Sequence, residues 1–336
     1  MPGRPSKDLY RGATILITGG TGSVGLELTK AVIGHGPREV RIFSNDENGL
    51  FEARSIFGND VPVKYHLGDV RDPRSIERAI AGCDLVFHAA ALKHVDFCEM
   101  NPYEAISTNI IGAQNVIELA RKERVDKLVY VSTDKAVNPV SAMGATKLLS
   151  ERLTVNAGLQ YDAGIFCCVR FGNILGSRGS VLTIFDRQVR EGKRVTITNP
   201  RMTRFIMLPS EAAGLILHAA EMAKPSETYV LKMPAVRVKD LAEASIEFFC
   251  RRYGRNPADY RVEEIGANPE EKIHEELMTD AEQARSSLKG DFYVIPSPGS
   301  GGNQKASAAR GYSSESAKML SKQEIVRVIG ALYASS

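Results

Sequence analysis

Tryptophan is absent from this chain, and 336 residues include only six histidines and five cysteines. The cysteines lack metal-site spacing, and the adjacent pair Cys167-Cys168 lies in an apolar run that reads as a buried strand. They fit reduced core thiols of a cytosolic protein, so a cytoplasmic location is expected. The histidines, His94 and His274 among them, show no ligand spacing, and no metal is expected. No run of about 18 apolar residues occurs, which argues against membrane insertion. The polar start, residues 1–7, has no stretch of signal-peptide type. An excess of one charge sign is missing as well: 43 basic against 40 acidic residues leave a net +3. With no long basic run, nucleic acid is not an expected partner. What is present, 43% hydrophobic residues, suffices for one large domain or two modest ones.

Short apolar runs alternate with helical patterns through the first half. Strands are expected at 14–17, 40–43, 63–66, 85–87, 128–131 and 165–171, with helices over 22–33, 102–122 and from about 141. That alternation predicts an α/β fold, a Rossmann-type doubly wound parallel sheet covered by helices on both faces. Past residue 172 the loops lengthen around Pro200, Pro209, Pro225 and Pro234. Helices are expected at 180–191, 210–223 and 238–251, with strands at 228–231 and near 260–262. The expected division is a dinucleotide-binding domain over 10–175, a smaller α/β lobe over 176–296 interleaved with the sheet, and a last segment over 297–336. Within that segment, 297–310 is rich in Gly, Ser and Ala and expected to be mobile, and 321–332 has helical amphipathic spacing.

Directly after the first strand comes Thr18-Gly19-Gly20-Thr21-Gly22-Ser23-Val24-Gly25. Glycines 19, 22 and 25 permit a tight turn, close backbone approach to a pyrophosphate and close helix–strand packing. Free N–H groups and the helix dipole then favour phosphate. After the second strand, Ser44-Asn45-Asp46 offers Asp46 about 20 residues beyond the glycines, where an acid meets ribose hydroxyls. Asp69 and Val70 follow the third strand, near the expected adenine, and Ala89-Ala90-Ala91 lets backbone lie against a cofactor.

Further on stands Ser132-Thr133-Asp134-Lys135, then Met143-Gly144-Ala145-Thr146-Lys147. A tyrosine four residues before a lysine shares its helix face and relays protons beside a nicotinamide. Met143 occupies that tyrosine position and exchanges no proton. Either the site is dead or its chemistry rests on Thr133, Asp134 and Lys135. Adjacent Asp134 and Lys135, at a central strand end, place an acid and a base in close quarters.

These motifs recur together with Lys93-His94-Val95, Asn101-Pro102-Tyr103-Glu104-Ala105, Thr108-Asn109-Ile110, Arg170-Phe171-Gly172-Asn173 and Asn199-Pro200-Arg201-Met202-Thr203-Arg204-Phe205. From about residue 12 to 280 the chain resembles the UDP-N-acetylglucosamine 4,6-dehydratases of polysaccharide biosynthesis, in the extended short-chain dehydrogenase/reductase superfamily. Some members of that group carry tyrosine at the Met143 position and others methionine, so the resemblance makes Met143 a subtype mark. It implies C4 oxidation, water elimination across C5 and C6, and hydride return to C6. By analogy Lys135 is the base at C5, Asp134 the acid at C6, and Lys147 holds the nicotinamide ribose. A lysine base needs a lowered pKa, expected here from desolvation and nearby Lys147. The group that deprotonates the C4 hydroxyl stays open among Thr133, Asp134 and a water held by Lys147.

The resemblance also implies a tightly bound NAD(P), with NADP slightly favoured, contacted by Ser44, Lys93 and Asn109 besides the glycine loop. Asn45 weakens the NADP assignment, because the family often has arginine there. For a UDP-sugar substrate it implies Lys93, His94, Asn173, Ser180, Val181, Thr196, Thr198, Arg204 and Glu271, and Arg178 is a candidate for the diphosphate. Asn268 and Glu270 replace an arginine and a glycine of the family's nucleoside-binding stretch, which bears on uridine specificity. The helices near 102–122 and 141–157 imply a homo-oligomer. Competing readings are a 4-epimerase, a C5,C6-dehydratase, or a non-enzymatic dinucleotide-binding scaffold.

Overall fold

The computed structural model describes residues 9–58, 60–160, 164–297, 299 and 311–334. Strand β1 (Thr14–Thr18) is aliphatic, β-branched and buried along its whole length, as a central parallel strand must be. Ile15 and Ile17 pack on one side of the sheet with Leu28, Val32, Ile216 and Ala220. Leu16 packs on the other with Ile76, Val116 and Ala120. The period-two alternation therefore feeds two helical layers.

The chain continues as α1 (Ser23–Ile33), β2 (Glu39–Ser44), α2 (Glu47–Phe57), β3 (Val63–Leu67), α3 (Pro73–Ile80), β4 (Leu85–His88), α4 (Val95–Met100) and α5 (Pro102–Ala105). A π-helical segment, Ile106–Ile111, leads into α6 (Gly112–Lys122), then β5 (Lys127–Thr133), α7 (Ala142–Gln160) and β6 (Ile165–Phe171). Next come β7 (Asn173–Ile174), α8 (Val181–Arg190), β8 (Val195–Ile197), β9 (Thr203–Met207), α9 (Pro209–Met222), β10 (Thr228–Leu231), β11 (Ala235–Arg237) and α10 (Val238–Tyr253). The last elements are β12 (Val262–Glu264), α11 (Asp280–Arg285), β13 (Ser287–Lys289), β14 (Phe292–Ile295) and α12 (Lys322–Ala334).

Among the described residues the main sheet has nine strands in the order β13-β14-β10-β6-β5-β4-β1-β2-β3. From β3 to β10 all neighbours are parallel; β14 and β13 add an antiparallel edge. The strand order reverses between β1 and β4, which opens a crevice at their carboxyl ends. This is the doubly wound sheet expected from the sequence. The second lobe is built on β11-β9-β7, the pair β12-β8, and helices α8, α10 and α12. Leu182, Phe185, Val195, Phe249, Ile325 and Ile329 form its own core.

The structure differs from the sequence reading in several places. The helix expected over 102–122 is interrupted by the π segment, where Asn109 turns inward. Its side chain accepts from the Leu92 N–H at 2.7 Å and donates to Thr146 Oγ1 at 2.9 Å. The strand expected near 260–262 starts at Val262, because Asn256 caps a 3-10 turn over Pro257–Asp259. The antiparallel β13 and β14 were not expected, since three- and four-residue strands carry too little pattern. Of 297–310, only 297 and 299 lie among the described residues. All five cysteines are free and buried.

A buried ion triad ties the sheet to its surroundings. Arg170 of β6 donates to both oxygens of Glu151 on α7 at 3.0 and 2.7 Å, and to Glu282 on α11 at 3.0 and 3.2 Å. It also donates to the Leu277 carbonyl at 2.8 Å.

Candidate active site

β1 stops at a turn in which Gly19 has φ +66. A Cβ there would stand 2.7 Å from the Ala90 backbone, and one at Gly25 would stand 2.5 Å from the Gly19 carbonyl oxygen. Glycine is thus required for the loop to lie against the β4 end and for α1 to lie on the loop. Gly22 caps α1 without a side chain, so the first-turn N–H groups, which have no intrahelical acceptor, remain for a ligand. This fits a dinucleotide pyrophosphate.

From this loop a cleft of about 700 Å³ runs across the carboxyl ends of the sheet to the second lobe. The structure brings to it Gly19, Thr21, Gly22, Ser23, Val24, Gly25, Ser44, Asn45, Asp46, Val70 and Ala89, Ala90 and Ala91 on the loop side. Toward the second lobe it brings Lys93, His94, Thr133, Lys135, Met143, Lys147, Asn173, Ser180, Val181 and Arg204.

At its centre, β5 ends in Thr133 and a single 3-10 turn, Asp134–Ala136. Asp134 does not line the cleft. It is fully buried, accepting from Thr133 Oγ1 at 2.9 Å and from Lys135 Nζ at 3.0 Å, while its second oxygen has no partner. Burial raises its pKa, against the pull of Lys135. Lys135 also reaches Asn173 Oδ1 at 3.1 Å and Glu275 at 3.5 Å. Burial alone would lower the Lys135 pKa, but Asp134 and Glu275 together hold it above the ordinary value. The expected lowering of Lys135 is therefore corrected: two carboxylates face it, and they outweigh desolvation.

The lowered lysine is Lys147. Burial pushes it down to about 8 against the opposing charge of Glu151. Its Nζ donates to the Val131 carbonyl at 2.7 Å and sits 4.3 Å from the centre of the Tyr130 ring. Met143, one turn earlier on α7, is buried with Cys98 and Ala105 and fills an apolar position at the cleft wall. α7 packs tightly on the 3-10 turn after β5, because any side chain at Gly144 would collide with the Lys135 carbonyl.

Sequence reasoning missed Glu275. It is buried, 3.7 Å from Arg204 Nε, and one of its oxygens has no partner. Burial would raise its pKa, but Lys135, Arg204 and Lys272 outweigh it and hold Glu275 ionised. The Glu-rich run 270–276 could have flagged it only by composition.

Six other expected residues stand outside the cleft lining. Asp69 is engaged by Arg71, and Asn109 supports the Leu92 backbone. Arg178 is exposed and paired with Glu52 at 2.7 Å and Asp46 at 3.6 Å; its backbone N–H donates to Ser23 Oγ, and its carbonyl accepts from Lys93. Thr196 accepts from Gln188, and Thr198 lies against Met202. Glu271 is partly buried, with one carboxylate oxygen lacking a partner. Arg71 and Glu104 line the cleft without having been singled out as site residues.

Known proteins match this chain along most of its length. An uncharacterized membrane protein of Methanocaldococcus jannaschii is 46% identical over 324 residues, 96% of each chain. Among the described residues of the present protein no helix is long and apolar enough to cross a membrane. A UDP-glucose 4-epimerase of Rickettsia akari is 37% identical over 331 residues, covering 94% of this chain and 95% of its own. The solved structure of Pen from Bacillus thuringiensis superposes with a TM-score of 0.91 at 38% identity, covering 96% of this chain and 98% of that one. The pattern shared by polysaccharide biosynthesis proteins extends over residues 15–297, from β1 past the last strand of the main sheet, and the chain belongs to that family.

Proposed function

We propose that this protein is a UDP-N-acetylglucosamine 4,6-dehydratase. The observation that carries this reading is the Lys135–Asp134–Thr133 chain at the β5 end, opposite Met143. It supplies acid–base chemistry for elimination, whereas the tyrosine relay suited to epimerisation at C4 is missing. Residues 10–175 would hold NAD(P) and 176–296 the nucleotide sugar, with Asn173, Ser180 and Arg204 on the substrate side. The bound nicotinamide supplies a hydride acceptor for C4 and a donor for C6. Lys147, with its pKa near 8, takes the C4-hydroxyl proton in its neutral form.

In the resting pair Lys135 is an ammonium and Asp134 a carboxylate. One proton shifted across their 3.0 Å contact gives a neutral amine and a neutral acid; burial favours the neutral form of Asp134, while Glu275 favours the Lys135 ammonium. The amine removes the C5 proton acidified by the C4 ketone. Asp134 passes its proton through the Thr133 hydroxyl to the departing C6 oxygen. The ion pair is thereby restored as water leaves. When C6 takes up hydride, the Lys135 ammonium returns its proton to C5, and Lys135 then regains a proton equivalent to the one Lys147 took from the C4 hydroxyl. Glu275 and Arg204 act behind Lys135 as positioning residues.

A homo-oligomer fits this reading, since Phe97, Met100, Tyr103 and Leu149 are exposed on α4, α5 and α7. A second reading, a UDP-hexose 4-epimerase, draws support from the name of the Rickettsia akari relative. Incubation with UDP-N-acetylglucosamine and mass spectrometry separates the two. Loss of one water is expected; a product of unchanged mass would replace the dehydratase reading with the epimerase.

A further inference from the structure

The end of the cleft beyond β2 and β3 carries an unusual charge arrangement. One guanidinium group, Arg71, lines it, and a second, Arg178, stands outside the lining but pairs with Asp46, which does line it. Arg71 donates to both Asp69 oxygens at 3.0 and 2.6 Å and to Glu104 at 2.7 Å. Arg178 pairs with Glu52 at 2.7 Å and Asp46 at 3.6 Å. Each arginine thus faces two carboxylates, and these two clusters together hold four carboxylates against two guanidinium groups. Between them Asn45 contributes only an amide, directed at Asp69 Oδ2 at 3.4 Å. Asp46 Oδ1 accepts from the Gly49 N–H at 2.9 Å and caps α2, while its Oδ2 lies 3.6 Å from the Arg178 guanidinium.

A dinucleotide lying along the glycine loop directs its adenosine ribose to this end. A ribose 2′-hydroxyl donates to carboxylates; a 2′-phosphate needs an uncommitted cation. Recruiting either arginine to a phosphate would leave its carboxylates unpaired beside that phosphate. We infer that this protein selects the dinucleotide with a free 2′-hydroxyl, NAD, and rejects the 2′-phosphorylated form, through the doubly neutralised Arg71 and Arg178. The inference rests on the dinucleotide reading of the cleft but not on which sugar reaction follows.

The test is made on the whole chain. Protein purified from cells is denatured, and the released nucleotide is identified by mass spectrometry. The protein is then equilibrated with an equimolar mixture of NAD⁺ and NADP⁺, and the bound fraction analysed. NAD is expected in the first measurement, and an excess of roughly tenfold or more in the second, since opposed charges of like sign discriminate strongly. NADP predominating, or equal occupancy, overturns the inference while leaving the dehydratase reading intact. Binding of neither dinucleotide overturns both. NAD bound with no water lost from the sugar leaves the inference standing and removes the dehydratase. In the Glu52→Gln/Glu104→Gln double variant, each arginine keeps one carboxylate, and the NADP⁺ share should rise several-fold. An unchanged share would overturn the charge account.

Discussion

Two buried charge networks in this protein use the same kinds of side chain to opposite ends. Around Arg170, guanidinium donors meet Glu151, Glu282 and a carbonyl, and no carboxylate oxygen of the triad lacks a partner. Around Lys135, two cations and two carboxylates approach at 3.0 to 3.7 Å, yet one oxygen of Asp134 and one of Glu275 have no hydrogen bond. The first network is closed and joins three elements. The second opens on the cleft through Thr133 and Lys135. A satisfied network fixes structure, whereas an unsatisfied one retains free energy that proton transfer can use.

Breaking the open network should act on chemistry first. Lys135→Met should lower the dehydration rate by about 10²–10⁴-fold, the usual scale for a lost acid–base group. Bound nucleotide, assayed after denaturation, should persist. A variant retaining more than a tenth of wild-type turnover would remove Lys135 from its role. Breaking the closed network should act on stability instead. Arg170→Met leaves Glu151 and Glu282 buried without their cation, at about 3–5 kcal/mol. Denaturant titration would measure this, and most of the loss should return in an Arg170→Met/Glu151→Met/Glu282→Leu triple variant. If the triple variant were no better than the single one, the triad would not be a replaceable staple.

The gentlest probe uses pH. Lys147 is held near 8, so its neutral form gains population as pH rises through that value. If the neutral amine receives the C4-hydroxyl proton, kcat should climb roughly tenfold between pH 7 and 9, the span set by one titrating group. Lys147→Arg, permanently charged, should be slow and lack this rise. A rate that falls above pH 8 would mean that the ammonium is the working form.

The same contrast marks what could be read from sequence. The glycine loop, the β-strand alternation and Thr133-Asp134-Lys135 are local patterns, and local pattern survives in the linear chain. Lys147 was also visible, but not its environment: its lowered pKa comes from burial between β5 and α7, which no spacing reveals. Glu275 lies far along the chain from Lys135 and reaches it only because residues near His274 bridge to β9 at Thr203. Arg71 was passed over because its role arises from Asp69 and Glu104 together, the latter on a different helix. The π segment was hidden since Ile106–Ile111 has ordinary helical composition.

That π segment makes chain length itself a constraint. Its wider turn accommodates extra residues relative to the α-helices on either side. Removing a single residue there would let the segment close into an α-helix, with the flanking helices in register but the bulge that positions Asn109 lost. Asn109 would swing away from Leu92 and Thr146, and Ser150 would lose the Asn109 carbonyl to which it donates at 2.6 Å. Single-residue deletions across 106–111 should therefore be tolerated far less well than side-chain substitutions at the exposed Ile106 and Ile111.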